Sequence, residues 1–273
     1  MEPTSPAPAP GSSVRTVSWT AETALVQAPD LAGPREDLGS WSRLGDLTPA
    51  ACSLVVVAVP AIAEEQPAQA AAAREALLAR ADIPATAVTL LGLQGAHLVS
   101  APGWIVVLAA EDRLEVAVEA AVTACITDAE LRRVETSLAS SWGPLRSLAP
   151  AAFEPTPATL AGRAQLKEAY GALLGLRETT TRLGPLVMVP HVYPPTLASQ
   201  VGERLRERLR MDERFELLEP TLLAQEQVHG LVAERVGETL NARKGHALEW
   251  TIILLLGAEV VLLLFDMMVS SAG

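Results

Sequence analysis

The chain has 273 residues, a formal net charge of −11, and 49% hydrophobic but only 4% aromatic residues. That length holds one large domain or two modest ones, and the acidity excludes a general nucleic-acid binder, because neutralising phosphates takes a basic surface. It equally excludes broad adhesion to anionic lipid, so membrane attachment has to come from an apolar segment.

Residues 1–13, MEPTSPAPAPGSS, hold little to bury and read as disordered. They lack the basic and apolar regions of a signal peptide, and the first basic residue, Arg15, comes too late for a mitochondrial presequence. From Ser13 on, Val14, Thr16 and Ser18 alternate with Arg15, Val17 and Trp19, the pattern of a weak strand. Residues 28–50 are rich in Pro, Gly, Asp and Ser and read as an irregular connection. The run SLVVVAV over 53–59 is the clearest strand, continuously apolar and stopped by Pro60, so both its faces should be covered. A helix is expected over 66–81, with further strands over 86–93 and 97–100 and in GWIVVLAA after the Pro102-Gly103 turn. A helix over 111–126 places Leu114, Val118, Ala121 and Val122 on one side. Thr127 or Asp128 then caps another over 129–141, which ends at the Gly143-Pro144 break. Strands followed by helices without strict alternation imply an α+β domain over 14–150. Cys52 and Cys125 lie in apolar surroundings and read as buried free thiols, with a disulfide or redox pair as the alternative.

The remainder is helical. Residues 157–246 form a coiled-coil-like region, beginning with an amphipathic helix over 159–183 and a Pro-punctuated crossing segment over 182–195. Thr196 caps the next helix, where Leu197, Val201, Leu205 and Leu209 stack at four-residue intervals opposite a charged, solvated face. Phe215, Leu218, Leu222, Gln225, His229, Val232 and Val236 follow at coiled-coil spacing. Gln225 and His229 interrupt this stripe as a polar layer fixing register, a pH-sensitive contact being the alternative for His229.

Residues 247–269 read as a transmembrane helix, with 270–273 as a short tail. At 1.5 Å per residue the run WTIILLLGAEVVLLLFDMMV covers the ~30 Å hydrocarbon layer. Roughly eleven strongly apolar residues at about −0.5 kcal/mol each outweigh one central acid, Glu259, at about +3, and Asp266 lies near the far interface. The alternative is a buried helix closing a soluble bundle. Arg243 and Lys244 precede the span and no Lys or Arg follows it, so the bulk of the chain should be cytoplasmic, or in the equivalent compartment of an organelle, as in a tail-anchored protein. Arg243, Lys244 and Trp250 mark the membrane interface. Glu259 falls about 13 Å below Trp250, near the midplane, on one face with Ile252, Leu256, Leu263 and Asp266. A protonated Glu259 hydrogen-bonded to a neighbouring span is expected there, with Gly257 permitting close approach; lone tolerance of the acid and proton transfer are the alternatives.

The runs RMDERFELLEPTLLAQEQVHGLV and HALEWTIILLLGAEVV resemble the C-terminal region of the required-for-meiotic-nuclear-division family, over about the last ninety residues. Asp212, Arg214, Leu217, Leu218, Leu248, Glu249, Trp250, Ile252, Ile253 and Glu259 carry the resemblance, whereas Glu219-Pro220 and Tyr193-Pro194-Pro195 depart from it. The characterised eukaryotic members are mitochondrial inner-membrane proteins, so the resemblance implies that location in a eukaryote.

The expected architecture is an α+β head, a mostly helical stalk or bundle and one C-terminal transmembrane helix. No nucleotide-binding Gly pattern, nucleophile elbow or HExxH occurs, and Gly92 and Gly95 in LGLQGAH read as a turn between strands. His97, His191, His229 and His246 are scattered, so neither a metal nor another cofactor is expected. The leading expectation is a non-enzymatic membrane adaptor or scaffold whose partners are lipid and either a second copy or another membrane protein. The alternatives are a membrane-tethered enzyme with its site in the head, and an accessory subunit of a transport or assembly complex.

Overall fold

A computed structural model describes residues 7–18, 35–45, 53–153, 162–188 and 196–270, with 263–270 described by backbone alone. Two compact units emerge, Met1–Ser137 with Leu176–Pro220 and Leu138–Gly175 with Thr221–Gly273. The head, expected over 14–150, thus also takes in 176–220 and gives up the residues after Ser137.

In the first unit two strands set the fold, β3 (Ser53–Pro60) and β6 (Trp104–Ala109). Both are apolar and rich in β-branched residues, which suits strands with two covered faces. They pair in parallel at the centre of a six-stranded sheet. On one side β3 pairs antiparallel with β1 (Ser13–Ser18), which pairs in turn with the short β2 (Glu36–Asp37). On the other, β6 pairs antiparallel with β5 (Ala96–Ala101), and β5 with β4 (Thr89–Leu93), giving the order β2-β1-β3-β6-β5-β4. The β4–β5 turn needs Gly95, whose φ of +95° disfavours a side chain.

Alternation along β3 and β6 sorts their side chains into two cores. Val55, Val57, Val59, Val106 and Leu108 pack against Ala70, Ala73 and Leu77 of α1 (Gln66–Leu78). Leu54, Val56, Ile105 and Val107 face the other way, onto Ala117, Val118, Ala121 and Val122 of α2 (Glu111–Leu148). The expectation that β3 is covered on both faces holds for the observed strand, in which only Pro60 is not fully buried. Residues 1–6 lie outside the described residues. Residues 7–12, read from sequence as disordered, are held instead: Gln69 Nε2 donates to the Ala7 carbonyl at 2.7 Å and Ser12 is buried.

α2 runs without interruption through both positions where the sequence suggests an end. Thr127 does not cap a new helix; its Oγ1 donates to the Thr123 carbonyl within α2. Asp128 instead pairs with Arg132 at 2.8 Å. Pro144 removes one backbone donor, yet buried Leu138 and Leu145 hold the helix on either side of it. α3 (Arg163–Met188) likewise passes through Pro185, where a crossing segment was expected, because Leu183 and Val187 are fully buried. α4 (Leu197–Arg208) begins at the expected cap: Thr196 Oγ1 accepts from the Ser199 amide and the Ser199 hydroxyl accepts from the Thr196 amide. α5 (Met211–Ser270) is then a single helix of 60 residues, about 90 Å long.

Candidate functional site

The second unit's small core is built on α5. Val232 and Val236 pack with Ala151 and Leu166, and Leu240 is the last side chain of α5 drawn into this cluster. Gln225 and His229 sit inside, 0% and 3% exposed, as the stripe requires. Gln225 Nε2 donates to the Leu138 carbonyl at 3.1 Å, and the Ser141 hydroxyl donates to Gln225 Oε1 at 2.6 Å. His229 stacks on Tyr170, with ring centroids 6.2 Å apart and planes 22° apart. Its Nδ1 is buried without a hydrogen-bond partner among the described residues; the Gln225 carbonyl one turn earlier lies close, outside hydrogen-bonding geometry. Burial therefore lowers the His229 pKa, opposed only in part by that carbonyl. The polar layer joins α5 to α2 through Ser141 and to α3 through Tyr170. The apolar periodicity of residues 159–183 includes Tyr170, but nothing in the sequence pairs it with His229, and Ser141 carries no signal that separates it from an ordinary helix position.

Beyond Leu240 the helix is bare. Every described residue from Asn241 to Leu262 is exposed except the half-buried Gly245. Ile252, Ile253, Leu254, Leu255 and Leu256 are 56–69% exposed, so apolar side chains point outward all round the helix. Such a helix is long and apolar enough to cross a membrane, and none of its most apolar stretch is buried in the protein. A core helix of this chain would be covered by it, and this stretch is not.

Arg243, Lys244 and Trp250, expected at a membrane interface, fall in order along this bare segment. Arg243 and Lys244 lie about 10 Å from Trp250 along the axis, and Trp250 is 65% exposed. Between them His246 Nδ1 lies 3.2 Å from Glu249 Oε2. Glu259 is exposed and position 266 falls two turns further along the same face. Gly257 does not join them. Two residues in a helix turn through about 200°, so Gly257 lies on nearly the opposite side from Glu259 and cannot ease close approach at the acid. A Cβ at Gly257 would meet nothing within 4 Å, and the glycine is not spared by crowding either.

In the first unit, Arg214 at the start of α5 makes the densest polar contact. Its Nε and Nη2 donate to the two Glu135 oxygens at 2.8 Å each, and its Nη1 reaches Asp128 Oδ1 at 2.5 Å. Burial works against its charge, but the bonds to Glu135 and Asp128 outweigh burial and raise its pKa above the ordinary arginine value. A cleft of about 400 Å³ beside it gathers Arg132, Glu135, Arg208, Arg210, Glu213 and Arg214. A larger, mainly apolar cleft of about 610 Å³ lies between the Val116–Thr127 part of α2 and α4, with Glu119 and Arg206 as its charged side chains. Cys125 is a free thiol that burial pushes up to about 12, the Asp128 charge adding to the shift, so it stays protonated; Cys52 lies outside the described residues. Among the described residues no three His, Cys, Asp or Glu side chains gather as metal ligands. No family model and no curated protein matches the chain.

Proposed function

We propose that the protein is a single-pass membrane adaptor, anchored by the apolar part of α5 and acting through helix–helix contacts rather than catalysis. The observation that carries this reading is the all-round exposure of apolar side chains from Leu248 to Leu262 on a helix continuous with a packed core. In water that surface far exceeds what a monomeric protein leaves open, whereas in hydrocarbon it is solvated. Arg243 and Lys244 keep the folded units on the cytoplasmic side, or the equivalent side of an organelle membrane. Lipid and a second membrane helix are the partners; the likeness of 212–259 to the required-for-meiotic-nuclear-division family, whose characterised eukaryotic members are inner-membrane proteins, points the same way. On fractionation, full-length protein should stay with membranes through alkaline extraction, and a truncation after Lys244 should be soluble. In sealed vesicles of native orientation, protease added on the cytoplasmic side should digest the folded units. Full-length protein in the soluble fraction, or units shielded from that protease, would overturn the assignment.

A second reading, a membrane-tethered enzyme, draws on the six ionisable side chains converging beside Arg214. Most of them already pair with one another, Arg214 with Glu135 and Arg210 with Glu213. Arg208→Ala would separate the two: loss of any small-molecule thermal shift without loss of membrane assembly would favour a site in the head.

A further inference from the structure

Among the described residues, the side of α5 turned away from the second unit's core is exposed from Glu234 on. At about 100° per residue, Glu234, Asn241, Leu248, Ile252, Glu259 and position 266 form one stripe. That stripe lies about 150° round the helix from buried Gln225, His229, Val232 and Val236. Each of its members from Glu234 to Glu259 is exposed, and the stripe runs from the polar part of α5 into the apolar part without changing side. Its charge is one-sided. Glu234 and Glu259 lie on it, position 266 carries a further acid in the sequence, Glu238 at its edge pairs with Arg235 at 2.8 Å, and Lys244 at the other edge is its one base.

We propose that this stripe docks a membrane-crossing helix of another protein, one that bears a lysine or arginine opposite Glu259 near the bilayer midplane. The inference rests on the reading that α5 crosses a membrane, and it names the partner's chemistry. A lone carboxyl group at that depth is poorly solvated, and a base brought against it supplies a counter-charge that residues 245–269 do not contain. A second copy fits worse. Copies inserted in the same orientation and meeting on this stripe would set Glu234 against Glu234 in water and would bring Glu259 no counter-charge. An opposite-signed helix meets the same stripe with attraction from the polar segment down to position 266. The core-packing side of α5 faces away, so docking leaves the Gln225–His229 layer undisturbed.

The test uses full-length protein reconstituted in phosphatidylcholine vesicles with synthetic 20-residue Leu/Ala spans carrying a photo-crosslinker. One peptide has a central lysine, one a central leucine, one a terminal lysine, and a fourth copies residues 245–269. The central-lysine peptide should crosslink to α5 at about tenfold lower peptide-to-lipid ratio than the leucine or terminal-lysine peptides. Glu259→Gln should abolish that advantage and Glu259→Asp should keep most of it. Equal crosslinking by the lysine and leucine peptides, an advantage that survives Glu259→Gln, or a stronger response to the 245–269 copy would overturn the inference, the last in favour of self-association. Alkaline extraction of the same vesicles separates the two levels: protein stripped from lipid refutes the anchor itself, whereas retained protein without a lysine preference refutes only the partner's chemistry.

Discussion

Gln225 and His229 occupy positions where leucine would pack at lower cost, and each meets that cost differently. Gln225 is satisfied by Ser141 and the Leu138 carbonyl, so its burial specifies register between α5 and α2. His229 is stacked on Tyr170 but left with an unbonded nitrogen, and burial holds it neutral. A histidine whose folded pKa lies below the ordinary 6.5 binds fewer protons folded than unfolded. Its contribution is intact above that value and is lost as pH falls through 6.5 towards the depressed folded pKa. Full-length protein in neutral detergent should therefore lose thermal stability between pH 7.5 and 5.5, and His229→Phe, which keeps the stacking, should lose less. His97, also lowered by burial, contributes the same sign and is present in both proteins, so the difference between the two pH profiles isolates His229. Identical profiles would show that His229 is not held neutral.

At the scale of elements, what could be read in advance was whatever periodicity or capping encodes locally. The SLVVVAV and WIVVLA runs announce two-sided strands because unbroken β-branched apolar sequence suits nothing else so short. Thr196 and Ser199 form the capping box at the expected start of α4. Thr196→Ala should cost about 1 kcal/mol, seen as a lower denaturant midpoint with an unchanged slope; an unchanged midpoint would mean the cap is idle. Two failures lie where burial overrode a local breaker. Pro144 and Pro185 read as helix ends, yet Leu138, Leu145, Leu183 and Val187 bury enough apolar surface around them to carry the helix on. Residues 7–12 read as disordered because nothing local marks Gln69, far along the chain, as their anchor. The candidate site divides in the same way: the apolar span and the Gln225–His229 interruption were legible from spacing, whereas Ser141, Tyr170 and the pairing of Arg214 with Glu135 depend on tertiary contacts. Gly257 shows the reverse error, a neighbour in sequence placed by the helix on another side.

For the whole molecule, the feature with the widest consequence is that α5 passes from a packed core into a membrane-length apolar segment with no break. Only Asn241 to Glu249, about 13 Å of bare helix, separates Leu240 from Trp250. Spin labels at positions 238 and 252 should report a narrow distance distribution near 21 Å in lipid, the span of 14 helical residues. A broad distribution would reveal a hinge. With α5 crossing a membrane as proposed, an unhinged rod is a lever whose fulcrum is the bilayer. Spans tilt by about 20° on average and tilt further when the hydrocarbon layer thins. From Trp250 back to Thr221 is about 44 Å of helix, so a 20° change in tilt would sweep the far end sideways by about 15 Å. Bilayer thickness, which acts only on the buried segment, would then be felt as displacement in water, well beyond the reach of any lipid headgroup.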